Sequence, residues 1–312
     1  MTIFLGAIAQ NLGERVHLFQ QFAEEFLTAL PEAHVYVYEN NSTDGVTKQK
    51  LLAWGNPRVH VRCEDVSEQF LLENGKATTY DNKPCRMEKI AYARNKLLEM
   101  MEADGMGLDP KDLTVIFDPD IPSPQSPDVL IHFCRNFPAE MDALFANGKS
   151  QRGNYYDASA FYDQYNPFGL ELLSETFIFG RKYKSVIFNI PPNFPPIQVY
   201  SAFGGIGIYR SNCIRGLRYQ GYVTKDVHDL FLRVKKSGHP WACELPDKPV
   251  THIDGAQQGI YLFDRELFYR NNSGYNYPVI CEHVPFHAAM IARGHSRLFV
   301  MPSLVYISDH WE

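Results

Sequence analysis

Residues 3–9 (IFLGAIA) are apolar without a break. The run suits one strand and is too short for most buried helices. A strand apolar on both faces must be covered on both faces, which is the situation of a parallel sheet with helices above and below it. The next segments repeat that logic. From 13 to 30, apolar residues at 16, 18, 19, 22, 23, 26, 27 and 30 keep helical spacing, and Pro31 stops the helix. Residues 34–39 (HVYVYE) and 58–63 (RVHVRC) read as strands, separated by a turn at 40–45 (NNSTDG) and a short helix at 46–54. A helix over 86–101, a strand at 113–117 (LTVIF), a helix over 126–136 and a strand at 143–146 (ALFA) follow. This order predicts an α/β fold: a doubly wound, mostly parallel sheet flanked by helices.

The second half is less regular. A proline-rich loop at 189–196 precedes a glycine-containing strand at 203–210, an amphipathic helix at 226–236 ended by Gly238, a helix at 286–293 ended by Gly294 and a late strand at 297–307. There is no internal repeat. The chain reads as a single domain, 1–312, whose halves meet softly near 150.

Composition removes several classes of function. With 45% hydrophobic and 21% charged residues the chain is too ordinary for disorder. Thirty Lys and Arg against thirty-six Asp and Glu leave a net charge of −6, without the basic face that nucleic-acid binding needs. No run approaches the ~18 apolar residues of a membrane span. The first residues lack a basic leader segment and turn polar at Gln10, Asn11 and Glu14, so no signal peptide is expected. Six cysteines, at 63, 85, 134, 213, 243 and 281, include no C-x-x-C pair and read as reduced thiols of a cytosol-like compartment.

Sheets of this kind bind ligands at the carboxyl ends of their strands. The chemically distinctive residues fall there. Asp118-Pro119-Asp120 follows LTVIF directly. Two carboxylates at a strand end suit a hard divalent cation, which keeps positions open for phosphate oxygens. A turn built from Asp and Pro is the structural alternative. Glu39 ends a strand and opens a polar stretch through Asn40 to Asp44 that can wrap a nucleoside, or merely place Asp44 near a helix N-terminus. Arg94 lies among apolar neighbours in its helix and can reach a phosphate with its planar fork. Asp226 and Asp229 open the 226–236 helix, where negative charge is favoured in any case. The aromatic stretch 153–168 suits stacking on sugar rings as well as ordinary packing.

VYVYENNSTDG, then IAYARN, then VIFDPD, in that order, resemble a GT-A nucleotide-sugar glycosyltransferase. FANG followed by YYD (144–157), SAFGGIGIYR (201–210) and CEHVPFHAAMIARGHSRLFVMPSL (281–304) are most similar to the CAP59-type, capsule-associated mannosyltransferases. The resemblance implies a nucleotide-sugar half over 1–150 and an acceptor half over 151–312. It makes Asp118 and Asp120 ligands of Mn²⁺ or Mg²⁺, and puts Glu39, Asn40, Asp44 and Arg94, with Asp118, around the nucleotide diphosphate. Asp157, Gly204 and Gly205 would border sugar and acceptor. Where many such enzymes carry Glu-Asp before a late helix, this chain reads Glu282-His283. Glu282 is then a candidate base with Asp226 as its rival, and His283 a third metal ligand. The implied activity is transfer of a hexose, mannose first, from a GDP- or UDP-sugar to a glycan or lipid-linked acceptor, in the cytoplasm or peripherally at its membrane face. The alternatives are a nucleotidyltransferase that makes the sugar nucleotide and a non-catalytic sugar-binding protein.

Overall fold

The structure, a computed structural model, describes residues 1–75, 83–164, 189–236, 260–263, 267–270 and 280–308. Its first half contains β1 (Ile3–Ala9), α1 (Val16–Ala29), β2 (Ala33–Asn40), α2 (Thr47–Leu52) and β3 (Val59–Glu64). These are followed by α3 (Glu68–Asn74), α4 (Arg86–Ala103), β4 (Leu113–Phe117), α5 (Asp128–Arg135) and β5 (Ala143–Lys149). The second half adds β6 (Ile197–Val199), β7 (Ile206–Arg210), α6 (Ser211–Ile214) and α7 (Lys225–Lys236). Then come β8 (Ile260–Phe263) and β9 (Leu267–Arg270), which pair with each other, α8 (His283–Ala292) and β10 (Leu298–Ile307).

Eight strands join one sheet in the order β3-β2-β1-β4-β7-β5-β10-β6. The strands β3, β2, β1 and β4 are mutually parallel, and β5 is parallel to β10. The strand β7 is inserted antiparallel between β4 and β5, and β6 pairs antiparallel with β10. The mostly parallel α/β architecture expected from the apolar pattern is the one observed. The direction of β7 was not expected, because IGIYR buries the same residues whichever way it runs.

Side-chain alternation shows how the sheet is covered. In β1 and β2, Ile3, Leu5, Ala7, Val35 and Val37 join a core with Phe19, Phe22 and Phe26 of α1 and Leu130 of α5. Their neighbours Phe4, Tyr36 and Tyr38 join a second core with Leu97, Leu98 and Met101 of α4 and Phe286 of α8. Phe117, the last residue of β4, anchors the first core. Its ring stacks on Phe22 at 4.7 Å and on Phe19 at 5.8 Å, and meets the edge of Tyr306 at 5.7 Å.

Other departures are local. The helix expected from 286 starts at His283 and takes Pro285 into its first turn, where a missing N–H leaves no bond unmade. The strand β5 continues to Lys149, and α3 and β6 carried no clear periodic signal. Gly238, His252, Asp254 and residues 165–168 of the aromatic stretch lie outside the described residues. Among the described residues no helix is long and apolar enough to cross a membrane. The five cysteines described are free thiols; Cys243 lies outside.

Phe117→Ala is expected to cost about 3–5 kcal/mol, the usual range for emptying a packed phenylalanine site. Urea unfolding should show a lower midpoint at unchanged slope.

Candidate functional site

Asp118 is the first residue beyond β4, and its backbone is held from two sides. Its N–H donates to the Gly205 carbonyl at 2.9 Å, and its own carbonyl accepts from the Tyr306 hydroxyl at 2.8 Å. Both contacts need glycine in the turn before β7. Gly204 has φ +62° and Gly205 φ +87°, and a Cβ at 205 would stand 2.3 Å from the Tyr306 ring. The two glycines thus have a packing reason for their identity, and they adjoin Asp118 through backbone.

The Asp118 carboxylate accepts from Arg94 Nη2 at 3.1 Å and from the Tyr156 hydroxyl at 3.3 Å. Arg94, on α4, is 4% exposed and also donates through Nε to Glu282 Oε1 at 2.9 Å. Its guanidinium lies 4.8 Å from the Phe203 ring centre and 5.7 Å from that of Tyr219. Burial disfavours its charge, but Asp118 and Glu282 outweigh that and raise its pKa further. Its Nη1 is buried with no hydrogen-bond partner. Arg94 therefore sits between two carboxylates as their counter-ion.

Burial pushes the Asp118 carboxyl above its ordinary pKa; Arg94 pulls it down, and Asp120 and Glu282 push it up again. Asp157 is raised well above the carboxylate range by burial, then by Glu282 and Asp118, against one hydrogen bond from the Ser159 hydroxyl at 3.0 Å. Asp118 is thus repelled by Asp120 and Glu282, and Asp157 by Glu282 and Asp118, around the Arg94 guanidinium. A hard divalent cation would relieve that repulsion.

Asp118, Asp120 and His283 are not a preassembled ligand set: their ligand atoms do not all lie within 4.8 Å of one another. Mg²⁺ needs no such set, since it is held by one or two carboxylates plus substrate phosphates. The carboxylates Asp118 and Asp120 therefore fit such an ion. His283 is 1% exposed, stacks on Phe203 at 3.9 Å, and has Nε2 3.4 Å from Glu282 Oε1. Burial, then Arg94 and His287, push its pKa well below the usual value, so it is neutral, and neither ring nitrogen has a hydrogen-bond partner. His287 differs. Its nitrogens meet the Ser201 hydroxyl at 2.8 Å and the Tyr209 hydroxyl at 3.0 Å, which makes it a satisfied core residue.

A second polar surface lies at the ends of β1 and β2. Asn11 N–H donates to Ser42 Oγ at 2.9 Å, Thr43 N–H to Asn11 Oδ1 at 2.7 Å, and Gly13 N–H to Asp44 Oδ2 at 2.8 Å. Asp44 also accepts from the N–H groups of Val46 and Thr47 and from the Thr47 hydroxyl. Burial opposes its charge, but these bonds lower its pKa to about 2. Both oxygens of Asp44 are thereby committed to loop structure. Glu39 is different. It is fully buried, Oε1 accepts from Ser42 N–H at 2.9 Å, and Oε2 has no hydrogen-bond partner. The half-buried Cys63 thiol beside it is pushed up to about 11 by burial and by Glu39. Asn40, half-buried, ends β2 next to this group.

Three of the non-glycine residues at this rim have positive φ: Asn11 (52°), Asn41 (59°) and Asp157 (66°). They sit in the segments that follow β1, β2 and β5. Asp226 is on α7, where its charge acts on Lys225, and no described contact joins it to the four carboxylates. In the aromatic stretch, Tyr155, Phe161 and Tyr162 are buried in the core, whereas half-buried Tyr156 reaches Asp118. Tyr156 and Tyr306 were not singled out from the sequence; the adjacency Tyr156-Asp157 was the available sign.

No protein-family model matches the chain, and no curated protein matches it in sequence. Solved structures with a similar arrangement include S. aureus TarS, at 13% identity and TM-score 0.39, with 70% of this chain and 30% of TarS covered. Another is the mannosyltransferase PcManGT from Pyrobaculum calidifontis in complex with GDP-Man and Mn²⁺, at 12% identity and TM-score 0.38, covering 76% of this chain and 52% of that one. A third is glucosyl-3-phosphoglycerate synthase from Mycobacterium tuberculosis with Mn²⁺, UDP and glucosyl-3-phosphoglycerate, at 14% identity and TM-score 0.39, covering 75% of this chain and 66% of that one. The chain thus spans less than two thirds of TarS and of PcManGT.

Asp157→Asn keeps a residue type that tolerates positive φ and removes an acid whose ionisation the rim opposes. A carboxyl with a raised folded-state pKa costs nothing below the unfolded value near 4, and its cost grows as pH rises above that value until the folded group ionises. The variant should therefore be more stable than the parent by about 0.5–2 kcal/mol at pH 7. The difference should vanish by about pH 4, as read by denaturant titration at each pH.

Proposed function

We propose that the chain is a metal-dependent glycosyltransferase of the GT-A type, moving a hexose from a nucleotide diphosphate sugar to a glycan hydroxyl. The observation that carries this reading is the crowding of carboxylates at the rim, where Asp120 and Glu282 push Asp118 up and Glu282 and Asp118 push Asp157 up, with Arg94 bonded to Asp118 and Glu282. The motif resemblance to the CAP59-type mannosyltransferases supports it and favours mannose from GDP-mannose.

In this reading Asp118 and Asp120 hold Mn²⁺ or Mg²⁺ together with the donor's diphosphate. The bound ion supplies charge neutralisation for the departing nucleotide diphosphate. The nucleoside lies against the cross-bonded loops after β1 and β2, which the buried Glu39 braces from beneath through Ser42 N–H. Arg94 keeps Asp118 and Glu282 aimed and limits their repulsion. Glu282 is the candidate base for the acceptor hydroxyl, with its Oε1 held by Arg94 and its Oε2 facing the Cys281 thiol at 3.7 Å. Asp157 borders the same space and orients the acceptor. The halves then divide the work, residues 1–150 taking the nucleotide sugar and residues 151–312 the glycan or lipid-linked acceptor. A glycan or lipid-linked acceptor of this kind is met in the cytoplasm or at its membrane face.

Calorimetry with GDP and with UDP, each with and without Mn²⁺, tests the proposal. One nucleotide should bind at least about tenfold more tightly with the ion, a coupling of about 1.4 kcal/mol. The double variant Asp118→Asn/Asp120→Asn should lose that gain and all donor hydrolysis. Binding indifferent to the ion would point to a non-catalytic sugar-binding protein, and an active double variant would remove the reading altogether.

A further inference from the structure

At the end of the sheet opposite this rim, three side chains of different chemistry converge. Asp142 immediately precedes β5, Cys213 lies in α6 just after the antiparallel β7, and His295 sits between α8 and β10. One oxygen, the sulfur and one ring nitrogen all lie within 4.8 Å of one another, and among the described residues no other trio of His, Cys, Asp or Glu does so. Asp142 and Cys213 are buried and His295 is half-buried, so an ion can enter from the imidazole side.

Each group is held by its own surroundings. The Asp142 carboxylate accepts from Arg297 N–H at 3.0 Å and Nε at 3.2 Å on Oδ2, and from Arg297 Nη2 at 2.6 Å on Oδ1. Each carboxylate oxygen has two lone pairs, so Oδ1 retains one for a ligand. A hydrogen-bonded partner of this kind commonly orients a ligating carboxylate. The backbone of His295 is pinned at the end of α8 by a bond from its N–H to the Met290 carbonyl at 3.0 Å. Its imidazole makes no hydrogen bond among the described residues. The Cys213 sulfur donates weakly to Asn212 Oδ1 at 3.6 Å. Burial and Asp142 push its thiol up to about 11, which argues against a Cys–His nucleophile: such cysteines sit in surroundings that lower the pKa.

We propose that Asp142, Cys213 and His295 form a zinc site separate from the carboxylate rim. A sulfur, a nitrogen and an oxygen donor match Zn²⁺ and not the oxygen-seeking Mg²⁺. Three protein ligands leave a fourth tetrahedral position to water. Binding replaces the Cys213 proton with the ion and releases that proton to solvent. The ion ties the beginnings of β5 and β10 to the end of β7, so its binding raises stability.

Co²⁺ alone, added to the purified Asp118→Asn/Asp120→Asn chain, reports on this site through a thiolate-to-metal charge-transfer band. The band should appear, persist in Cys281→Ser, which removes the thiol nearest the rim, and disappear in Cys213→Ser. His295→Ala alters a half-exposed position and keeps the test valid should Cys213→Ser fail to fold. It should weaken Co²⁺ binding by at least about tenfold and abolish the rise in melting temperature that Zn²⁺ gives the parent. No band in the parent, a band that survives Cys213→Ser, or an unchanged Zn²⁺ response in His295→Ala would each overturn the proposal.

Discussion

The rim of the sheet depends on the Arg94 guanidinium. It joins Asp118, at the end of β4, to Glu282, 188 residues from Arg94 along the chain. All three groups are largely withdrawn from water, so removing any one of them would leave buried charge unpaired. The phenyl ring of Phe203 and the phenol of Tyr219 flank it and keep it from being solvated in another orientation. That arrangement joins the first half of the chain to the last helix and gives the polar rim its geometry. Carboxylates also crowd one another there, which is the property a cationic ligand would exploit.

The sheet was legible wherever burial alone determines structure. The run at 3–9, the alternation at 58–63 and the spacing of apolar residues in α1 are direct consequences of which faces are covered. Strand direction is not encoded that way, and β7 shows it, since its residues would be buried equally in a parallel position. At the rim, the carboxylate pair after β4 was visible because Asp following a buried strand is unusual chemistry in a recognisable place. The role of Arg94 as a counter-ion was not visible, because its partner Glu282 is remote in sequence and only the fold brings them together. Asp44 illustrates the opposite outcome. Its sequence position suits either ligand or loop, and four donors from its own neighbourhood take up its oxygens.

The two polar regions of the rim are built on different principles. Around Arg94 carboxylates crowd one another in buried positions, and burial first, then like charge, pushes Asp118 and Asp157 up. Along the loops after β1 and β2, Asn11, Gly13, Ser42, Thr43 and Asp44 are bonded to one another across the two loops. A cross-bonded scaffold gives directional recognition, whereas a crowded set of like charges gives affinity for an ion with little directional demand. The pairing suits a ligand with a planar, hydrogen-bonding end and a polyanionic end.

The left-handed backbone at Asn11, Asn41 and Asp157 has a consequence for how such a ligand would be met. These bends are held by bonds already made in the free chain, so the ordering cost of the loops falls on folding and not on association. Recognition then resembles a key entering a finished lock. Its heat-capacity signature should reflect the surface covered, with no added contribution from these three bends.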